Sequence, residues 1–177
     1  MVRGLPYRAD DADLVADRDL CADLLLSLNG MSNSRPELRR RILDELLGSL
    51  GSDSHILSPF HCDYGWQISI GERCFINYGA VVLDPAAVTI GDDVQVGPSV
   101  QLLTATHPVD AEERASGWES GQPVTIGNGV WLGGGVIVLP GVSIGDRTVV
   151  GAGTVVTRDL PAGVLAVGNP ARVVREL

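Results

Sequence analysis

The chain has 177 residues, of which 45% are hydrophobic but only 5% aromatic, and it carries a formal net charge of −9. This length fits one domain with an aliphatic core, and the negative charge disfavours a nucleic-acid partner. No apolar run approaches the roughly 18 residues that span a bilayer, and residues 1–10 lack the apolar centre of a signal peptide. We therefore expect a cytoplasmic protein without a membrane partner.

The first third of the chain predicts two helices that form a small cap. Residues 11–29 place apolar side chains along one broad helical stripe. Ser34 and Glu37 have the spacing of a capping box, with Pro36 in the first turn, and they predict the start of a second helix. The apolar residues of this second helix recur every fourth position, at Leu38, Ile42 and Leu46.

From residue 66 onward an aliphatic side chain recurs every six residues, and a glycine often follows it. A single unit of this kind occurs by chance, but an unbroken series from Ile126 to Val156 does not. A repeat of this kind outranks other sequence signals in assigning a fold. The full series is Ile70, Ile76, Val82, Ile90, Val96, Leu102, Ile126, Leu132, Val138, Ile144, Val150 and Val156.

Each six-residue unit predicts a very short strand followed by a sharp corner. A second small or aliphatic side chain lies two positions before each residue of the series, which is the alternation of a strand. Glycine after the strand tolerates the backbone angles of a tight corner. Three such strands per coil make a triangular prism, whose inward side chains stack in columns from one coil to the next.

The register of the repeat is interrupted twice. Between Val82 and Ile90 the spacing is eight, so residues 84–87 are expected to bulge at a corner. Residues 104–123 do not follow the pattern at all. An irregular loop of this length inside a strict array is more often functional than decorative.

His107 lies where this loop leaves the repeat, which makes it the leading candidate for a catalytic residue. A neutral imidazole can take a proton from a hydroxyl and return it near pH 7. No serine or cysteine stands in a nucleophile-elbow context, so covalent catalysis has no candidate. The other two histidines precede the repeat, and the three cysteines lack the spacing of a zinc ribbon, so no metal site is expected.

Several strings of the chain resemble the maltose/galactoside-type sugar O-acetyltransferases, which are hexapeptide-repeat acyltransferases. The most specific is Thr-Ala-Thr-His-Pro at 104–108. The others include Phe-His-Cys-Asp-Tyr-Gly at 60–65, Phe-Ile-Asn-Tyr at 75–78, Gly-Val-Trp-Leu-Gly at 129–133, Pro-Gly-Val-Ser-Ile-Gly-Asp at 140–146 and Gly-Asn-Pro-Ala-Arg at 168–172. The N-terminal Tyr-Arg-Ala-Asp-Asp at 7–11 is similar to the start of the family's cap, so the resemblance runs nearly from end to end.

This resemblance implies a mainly β protein, a left-handed parallel β-helix of hexapeptide repeats with a small N-terminal α-helical cap. The cap would occupy residues 1–55 and the β-helix residues 56–177, with an inserted loop at 104–123. The resemblance also implies a homotrimer with active sites between subunits.

The resemblance further implies that acetyl passes directly from acetyl-CoA to a hydroxyl of a small sugar-like acceptor, without a metal ion. His107 falls on the family's general base, and Glu119 falls on a loop glutamate that helps to position it. Four residues match the acceptor side of the site, with Asp11 favoured over Asp10 by its spacing from Tyr7: Asp11, Asp63, Asn77 and Asp84.

On the donor side, several residues match positions along the CoA groove. Gly134 and Ala152 leave backbone amides accessible to the pantetheine arm, and the Gly134 amide could stabilise an oxyanion. Arg158 and Arg175 can neutralise phosphate charges. The full donor set is Trp131, Gly133, Gly134, Ala152, Thr157, Arg158, Arg172 and Arg175.

Other interpretations stay open at this point. Trp66, Trp118 and Pro85 differ from the family pattern on the acceptor side, so a xenobiotic, a lipo-oligosaccharide or an amino-sugar could replace a simple sugar. A β-helix that serves only as a non-catalytic scaffold is a second alternative. Asn77 could be no more than a left-handed turn residue, and Trp131 no more than a packing residue.

Overall fold

A computed structural model describes Met1 and residues 4–177 and places a three-sided parallel β-helix behind two helices. In chain order the elements are β1 (Tyr7–Arg8), α1 (Ala12–Asn29), α2 (Pro36–Leu46), β2 (Ser49–Leu50), β3 (His55–Ile56), β4 (Phe60–Cys62), β5 (Ile68–Ile70), β6 (Phe75–Ile76), β7 (Ala80–Leu83), β8 (Val88–Ile90), β9 (Gln95–Val96), β10 (Gln101–Leu103), β11 (Ala105–Thr106), α3 (Ala111–Ala115), β12 (Trp118–Gly121), β13 (Val124–Ile126), β14 (Trp131–Leu132), β15 (Ile137–Val138), β16 (Ser143–Ile144), β17 (Val149–Val150), β18 (Val155–Val156), β19 (Val164–Val167) and β20 (Arg172–Glu176).

The strands of the prism form three sheets, one on each side. The first face contains β2, β5, β8, β13 and β16. The second face contains β3, β6, β9, β14, β17 and β19, with β20 added at its end as an antiparallel strand. The third face contains β4, β7, β10, β15 and β18. Apart from β20, the strands of each face come from successive coils and pair in parallel. The chain turns a corner each time it passes from one face to the next.

The six-residue series forms the inward side of this prism, as the sequence predicted. Every member of the series is at most 4% exposed. The columns follow the strand register, in which Ile70 pairs with Ile90, Ile90 with Ile126 and Ile126 with Ile144. Burial of each such side chain stabilises the fold by about 1.5–3 kcal/mol, so the stacked columns are the main source of stability.

The eight-residue spacing produces the expected bulge at residues 84–87. Its backbone is held by Thr104, whose hydroxyl accepts the N–H of Ala86 at 2.9 Å and donates to the carbonyl of Leu83 at 2.9 Å. Thr104 is completely buried. A buried hydroxyl bonded on both sides offsets its own desolvation cost, so the bulge is a fixed part of the corner.

Arg39 of α2 joins the cap to the first coil of the β-helix. Its guanidinium is buried and donates to the carbonyls of Leu28, Met31 and Ile56 and to the Ser58 hydroxyl at 2.8–3.3 Å. Burial lowers the pKa of Arg39. The free thiols of Cys21 and Cys62 also meet across this boundary, with their sulfurs 3.6 Å apart.

The cap differs from the sequence prediction in two details. The capping box is wrong, because Arg35 is the N-cap of α2 without a side-chain cap bond, and the Ser34 hydroxyl meets that of Ser32 instead. The apolar stripe is also shifted, because Leu38 is 42% exposed while Leu43 and Leu46 are buried.

The first coil of the β-helix already includes β2 and β3, which begin before the expected boundary at residue 56.

The loop at 104–123 is ordered, although the sequence predicted it to be irregular. It folds into β11, the short helix α3 and β12, and β12 pairs antiparallel with both β11 and β1. The third strand of this small sheet comes from the N-terminal segment, far away in the sequence. Such a long-range pairing leaves no local pattern, which explains why the sequence did not reveal it. In the described part of the chain, no helix is long and apolar enough to cross a membrane.

Candidate active site

Two corners of the prism carry the predicted site residues. We call the turn after the third face corner 3, where Asp63, Asp84 and Thr104 follow β4, β7 and β10 in successive coils. His107 lies three residues beyond Thr104. We call the turn after the second face corner 2, where Asn77, Gly97, Gly133 and Gly151 follow β6, β9, β14 and β17.

Asp84 is a buried side chain that holds the backbone of corner 3. Its side chain has no exposed surface, and its two carboxylate oxygens accept the N–H groups of Asp63, Tyr64 and Gly65 at 2.8–3.0 Å. Burial raises the pKa of Asp84, while these three hydrogen bonds counteract the rise. A fully buried carboxylate acts on a ligand only through its neighbours, so in this structure Asp84 fixes the turn that presents Asp63.

Asp63 is the half-buried acid of this corner. Burial, together with the neighbouring charge of Asp84, raises the pKa of Asp63 to about 6, while Arg18 opposes the rise. A carboxyl that titrates near neutrality in a cleft is typical of functional sites, although structural networks produce such shifts as well. Asp63 is therefore a candidate polar contact for a ligand at corner 3.

The structure places His107 and Glu119 close to each other at the base of the loop. The distance from His107 Nδ1 to Glu119 Oε1 is 3.9 Å. The His107 side chain is 54% exposed, whereas that of Glu119 is 24% exposed. The two groups lie within ion-pair distance once the imidazole is protonated, and such contacts commonly shorten when substrates bind. The carboxylate faces Nδ1 and leaves Nε2 free for a substrate proton.

Tyr7 is a third member of this group, although no sequence pattern assigned it a role. Its hydroxyl donates a hydrogen bond to Glu119 Oε2 at 3.0 Å, and its side chain is buried. Burial and the adjacent Glu119 raise the pKa of Tyr7 above its ordinary value. The tyrosine belongs to the string that resembles the family's cap, but only the pairing of β1 with β12 brings it to the site.

A cavity of about 510 Å³ adjoins this group on the side of the cap. Tyr7, Asp11, Trp66 and Trp118 contribute to its wall, and both tryptophans are nearly half exposed. Asp11 is the N-cap of α1, and its carboxylate accepts the N–H of Asp13 at 3.1 Å. Asp10 instead pairs with Arg8 on the surface, so Asp11 is the member of the pair that lines the cavity. A larger cavity of about 630 Å³ lies elsewhere, between α2 and the second face.

Corner 2 holds three of the eight residues that matched the donor side, Gly133, Gly134 and Ala152. A Cβ on Gly133 would lie 2.6 Å from the backbone nitrogen of Ala152 in the next coil, so the stacking of coils itself requires this glycine. The nearest atoms to a Cβ on Gly134 would belong to Pro98, at 3.4 Å. The fold therefore leaves room at Gly134, and the missing side chain exposes its backbone to an approaching ligand.

Asn77 stands at the same corner, two coils before Gly133. Its side-chain oxygen accepts the N–H of Tyr78 at 2.8 Å. The residues with positive φ nearby are Gly79 and Ser99, at 75° and 58°. Asn77 is not among them, so the left-handed-turn interpretation is wrong and its amide nitrogen remains available to a ligand.

The outer side of the second face carries Trp131 and Arg175 in one row. The register runs from Trp131 through Val149 and Leu165 to Arg175, one residue on each of four adjacent strands. Three strand spacings amount to about 14 Å. The row therefore joins an exposed aromatic ring to a cation over a distance suited to an extended ligand.

The remaining donor-side residues lie near the C-terminal end of the prism. Arg158 and Thr157 are exposed after β18, and Arg172 lies on β20 with one guanidinium nitrogen bonded to the Ala171 carbonyl at 2.9 Å. Arg158 and Arg175 form no ion pair with any residue that the structure describes. These exposed cations can meet phosphate charges, whereas the rest of the chain is acidic.

The two groups of residues do not meet within one chain. Corner 2 and corner 3 lie at opposite edges of the third face, separated by six or seven residues that span up to about 20 Å. The structure therefore brings His107, Glu119 and Asp63 to one edge, and Asn77, Gly133 and Gly134 to the other. Among the described residues, no three His, Cys, Asp or Glu side chains are grouped as metal ligands.

Comparison with known proteins identifies the family. The maltose acetyltransferase hexapeptide capping motif matches residues 1–51, and the bacterial transferase hexapeptide repeat matches residues 123–158. A maltose O-acetyltransferase structure from Clostridium difficile 630 is 45% identical, with a TM-score of 0.98 over 99% of this chain and 94% of that chain. The chain belongs to the hexapeptide-repeat acetyltransferases.

Two further members of this family extend the comparison. A hexapeptide-repeat-containing acetyltransferase from Vibrio cholerae O1 biovar eltor, complexed with acetyl coenzyme A, is 40% identical, with a TM-score of 0.94 over 100% of this chain and 96% of that chain. The galactoside O-acetyltransferase of Escherichia coli K12 is 40% identical over 87% of this chain and 76% of its own length. The expected parallel β-helix with a helical cap is thus confirmed by both structure and family.

Proposed function

We propose that this protein transfers acetyl from acetyl-CoA to a hydroxyl of a sugar-like acceptor, with His107 as the general base. The observation that carries the proposal is the pairing of His107 with Glu119 at the base of the loop. The complex of the Vibrio relative with acetyl coenzyme A and the names of the maltose and galactoside relatives support the donor and the acceptor class. We also keep the expected cytoplasmic location, since acetyl-CoA is an intracellular metabolite.

The proposed reaction is a direct transfer within a ternary complex. Nε2 of His107 removes the proton as the acceptor oxygen attacks the thioester carbonyl, because Glu119 faces Nδ1 and favours a proton there. The carbon–oxygen ester bond forms and the carbon–sulfur bond breaks. The proton then passes from the imidazole to the departing CoA thiolate. Backbone N–H groups at corner 2, with Gly134 foremost, stabilise the transient oxyanion.

The donor is proposed to lie along corner 2 and the second face. Trp131, Gly133, Gly134 and Ala152 would contact the pantetheine arm, and Thr157 would bond to it. The phosphates would meet the exposed cations at the C-terminal end. This assignment is supported by the row from Trp131 to Arg175 and by the open space at Gly134. The cations are Arg158, Arg172 and Arg175.

The acceptor is proposed to bind beside corner 3. Asp63 would accept a hydrogen bond from a sugar hydroxyl, and Asp84 would hold the turn that carries Asp63. Asp11 would contact the acceptor from the cavity next to Tyr7. Asn77 would approach from corner 2. A larger acceptor such as a lipo-oligosaccharide remains the second candidate, since the exposed rings of Trp66 and Trp118 widen this side of the site.

A homotrimer is part of the same proposal. Within one chain the donor residues of corner 2 and the second face lie across the third face from His107, whereas Thr157 and Arg158 follow β18 on the same edge as His107. A site that uses both groups therefore requires corner 2 of one subunit to meet corner 3 of the next. Such a heterologous contact closes into a ring when the rotation between subunits is a third of a turn. Each ring would then hold one site at every interface.

The direct test is the variant His107→Ala assayed for thiol release with acetyl-CoA and a panel of sugar and amine acceptors. We expect kcat to fall by about 10²–10⁴-fold, the contribution typical of general-base catalysis, while CoA binding is retained. His55→Ala is the matched control, because His55 is exposed on β3, on a different face of the prism from corner 3. Near-normal turnover of His107→Ala would refute the role, and an acetyl-enzyme burst without acceptor would refute direct transfer.

A further inference from the structure

The N-terminal segment supplies a buried hydroxyl to the loop that carries Glu119. Tyr7 and Glu119 are direct partners in the antiparallel pairing of β1 with β12, so their side chains lie on the same side of the small sheet. The hydroxyl of Tyr7 donates to Glu119 Oε2 at 3.0 Å, although the two residues are 112 positions apart. This contact is the direct connection between the cap and the His107–Glu119 pair.

The strand that presents Tyr7 is itself anchored to the loop. Arg8 donates a hydrogen bond to the carbonyl of Ser116 at 2.9 Å, just before β12 begins. The Arg8 side chain also pairs with Asp10 through two bonds of 2.9 Å. These contacts fix β1 against β12, so the position of the Tyr7 ring is set by backbone pairing and not by its side chain alone.

The contact decides how the Glu119 carboxylate is oriented. Rotation about the last bond of a glutamate side chain is broad and nearly free. With Oε2 held by Tyr7, Oε1 is the oxygen that faces His107 Nδ1 at 3.9 Å. Burial keeps the Tyr7 phenol protonated, so it remains a donor throughout the neutral range. Without this hydroxyl, the carboxylate would be free to turn toward water.

We propose that Tyr7 is a positioning residue, which holds Glu119 in the orientation that aligns His107 for proton transfer. The inference rests on the proposed general-base role of His107. It extends the site to the N-terminal strand, so the cap takes part in the reaction through one hydrogen bond. Tyr7 itself does not touch the reacting groups.

The experiment is a double-mutant cycle of Tyr7→Phe and Glu119→Gln, with kcat and the KM for acetyl-CoA measured for all four proteins. Tyr7→Phe keeps the ring that fills the space, and unchanged acetyl-CoA binding verifies that the variant is folded. We expect Tyr7→Phe to lower kcat by about 10- to 100-fold, as for loss of a hydrogen bond to a charged group, with little change in KM. In the Glu119→Gln background, the same substitution should change kcat by less than about twofold.

Tyr64→Phe is the matched control. The Tyr64 hydroxyl also links the cap to the β-helix, by accepting a hydrogen bond from Arg18 at 2.8 Å, but it does not bond to Glu119. Its effect should therefore be the same with and without Glu119→Gln. If the effects of Tyr7→Phe and Glu119→Gln multiply independently, or if Tyr7→Phe has normal kcat, the positioning role is refuted. Retained activity in His107→Ala would instead refute the proposed function, and the Tyr7 inference with it.

Discussion

At the scale of single residues, the site depends on carboxylates whose surroundings differ sharply. Asp84 is enclosed and bonded to three N–H groups, whereas Asp63 is half buried and faces Asp84 across the same turn. The two acids cannot both be ionised without cost. Burial raises the pKa of both acids, and that of Asp63, which has fewer hydrogen bonds to its charged form, rises to about 6.

The raised pKa of Asp63 gives a prediction about stability and pH. A carboxyl that binds its proton more tightly in the folded state than in the unfolded state loses stabilising free energy as pH rises from about 4 to 6. Asp63→Asn removes this ionisation, so the variant should unfold at a higher temperature than the wild type at pH 8. The gain, of order 1 kcal/mol after solvent screening, should vanish below about pH 4.

The measurement for Asp63→Asn is thermal unfolding of both proteins at several pH values. Asp159→Asn provides a control, because Asp159 is an exposed acid that accepts one hydrogen bond, from the N–H of Ser143. An equal difference in melting temperature between Asp63→Asn and wild type at pH 4 and pH 8 would contradict the assigned cause.

At the scale of the elements, adjacent glycines at corner 2 have different reasons to be glycine. Gly133 lies against the backbone of Ala152 in the next coil, where a Cβ does not fit. Gly134 has space for a Cβ. In our proposal, the lack of a side chain at Gly134 leaves its backbone open to the ligand. The sequence pattern treats the two alike, and only the stacking of coils separates them.

Substitution of each glycine by alanine tests this distinction. Gly133→Ala should lower the melting temperature by several degrees, since overpacking of this kind costs about 1–3 kcal/mol. Gly134→Ala should leave the melting temperature within about 2 °C of wild type and raise the KM for acetyl-CoA by about 5- to 10-fold. Calorimetry and initial rates supply the two readouts. A stable Gly134→Ala enzyme with unchanged KM would remove Gly134 from the proposed donor groove.

The elements also show what the sequence could and could not reveal. The β-helix was predictable because its period is local, and each inward residue of the series lies where the spacing placed it. His107 was singled out by its motif and Glu119 by the family resemblance, and the structure places the two close together. Tyr7 was missed because its partner is 112 positions away. The apolar stripe of α2 was misassigned because its buried side includes Arg39, a charged residue that a hydrophobic pattern overlooks.

At the scale of the whole molecule, one chain contains all the proposed groups but not one complete site. Corner 2 and corner 3 face away from each other across the third face, and the proposed trimer joins them between subunits. This arrangement predicts that two inactive proteins can restore each other's activity.

Co-expression of His107→Ala with Gly134→Leu tests this arrangement. Gly134→Leu fills the proposed donor groove, and either variant alone should be inactive. In every trimer that contains both variants, one interface in three combines an intact His107 with an intact Gly134, so mixed trimers should recover about a third of wild-type activity. Purification through two different tags selects mixed species, and the mass of the particle is measured by sedimentation. Mixed particles no more active than the two parents would place each site within one chain.

The pairing of β1 with β12 has a consequence for the order in which the parts of the protein fold. The solenoid can stack from neighbour to neighbour, but the loop gains its third strand only when the start of the polypeptide returns to it. A protein shortened by its first eight residues should therefore keep its stacked coils while its loop becomes open to protease cleavage. The N-terminal strand β1 would thus order the loop in the final step of folding, after the coils of the β-helix have formed.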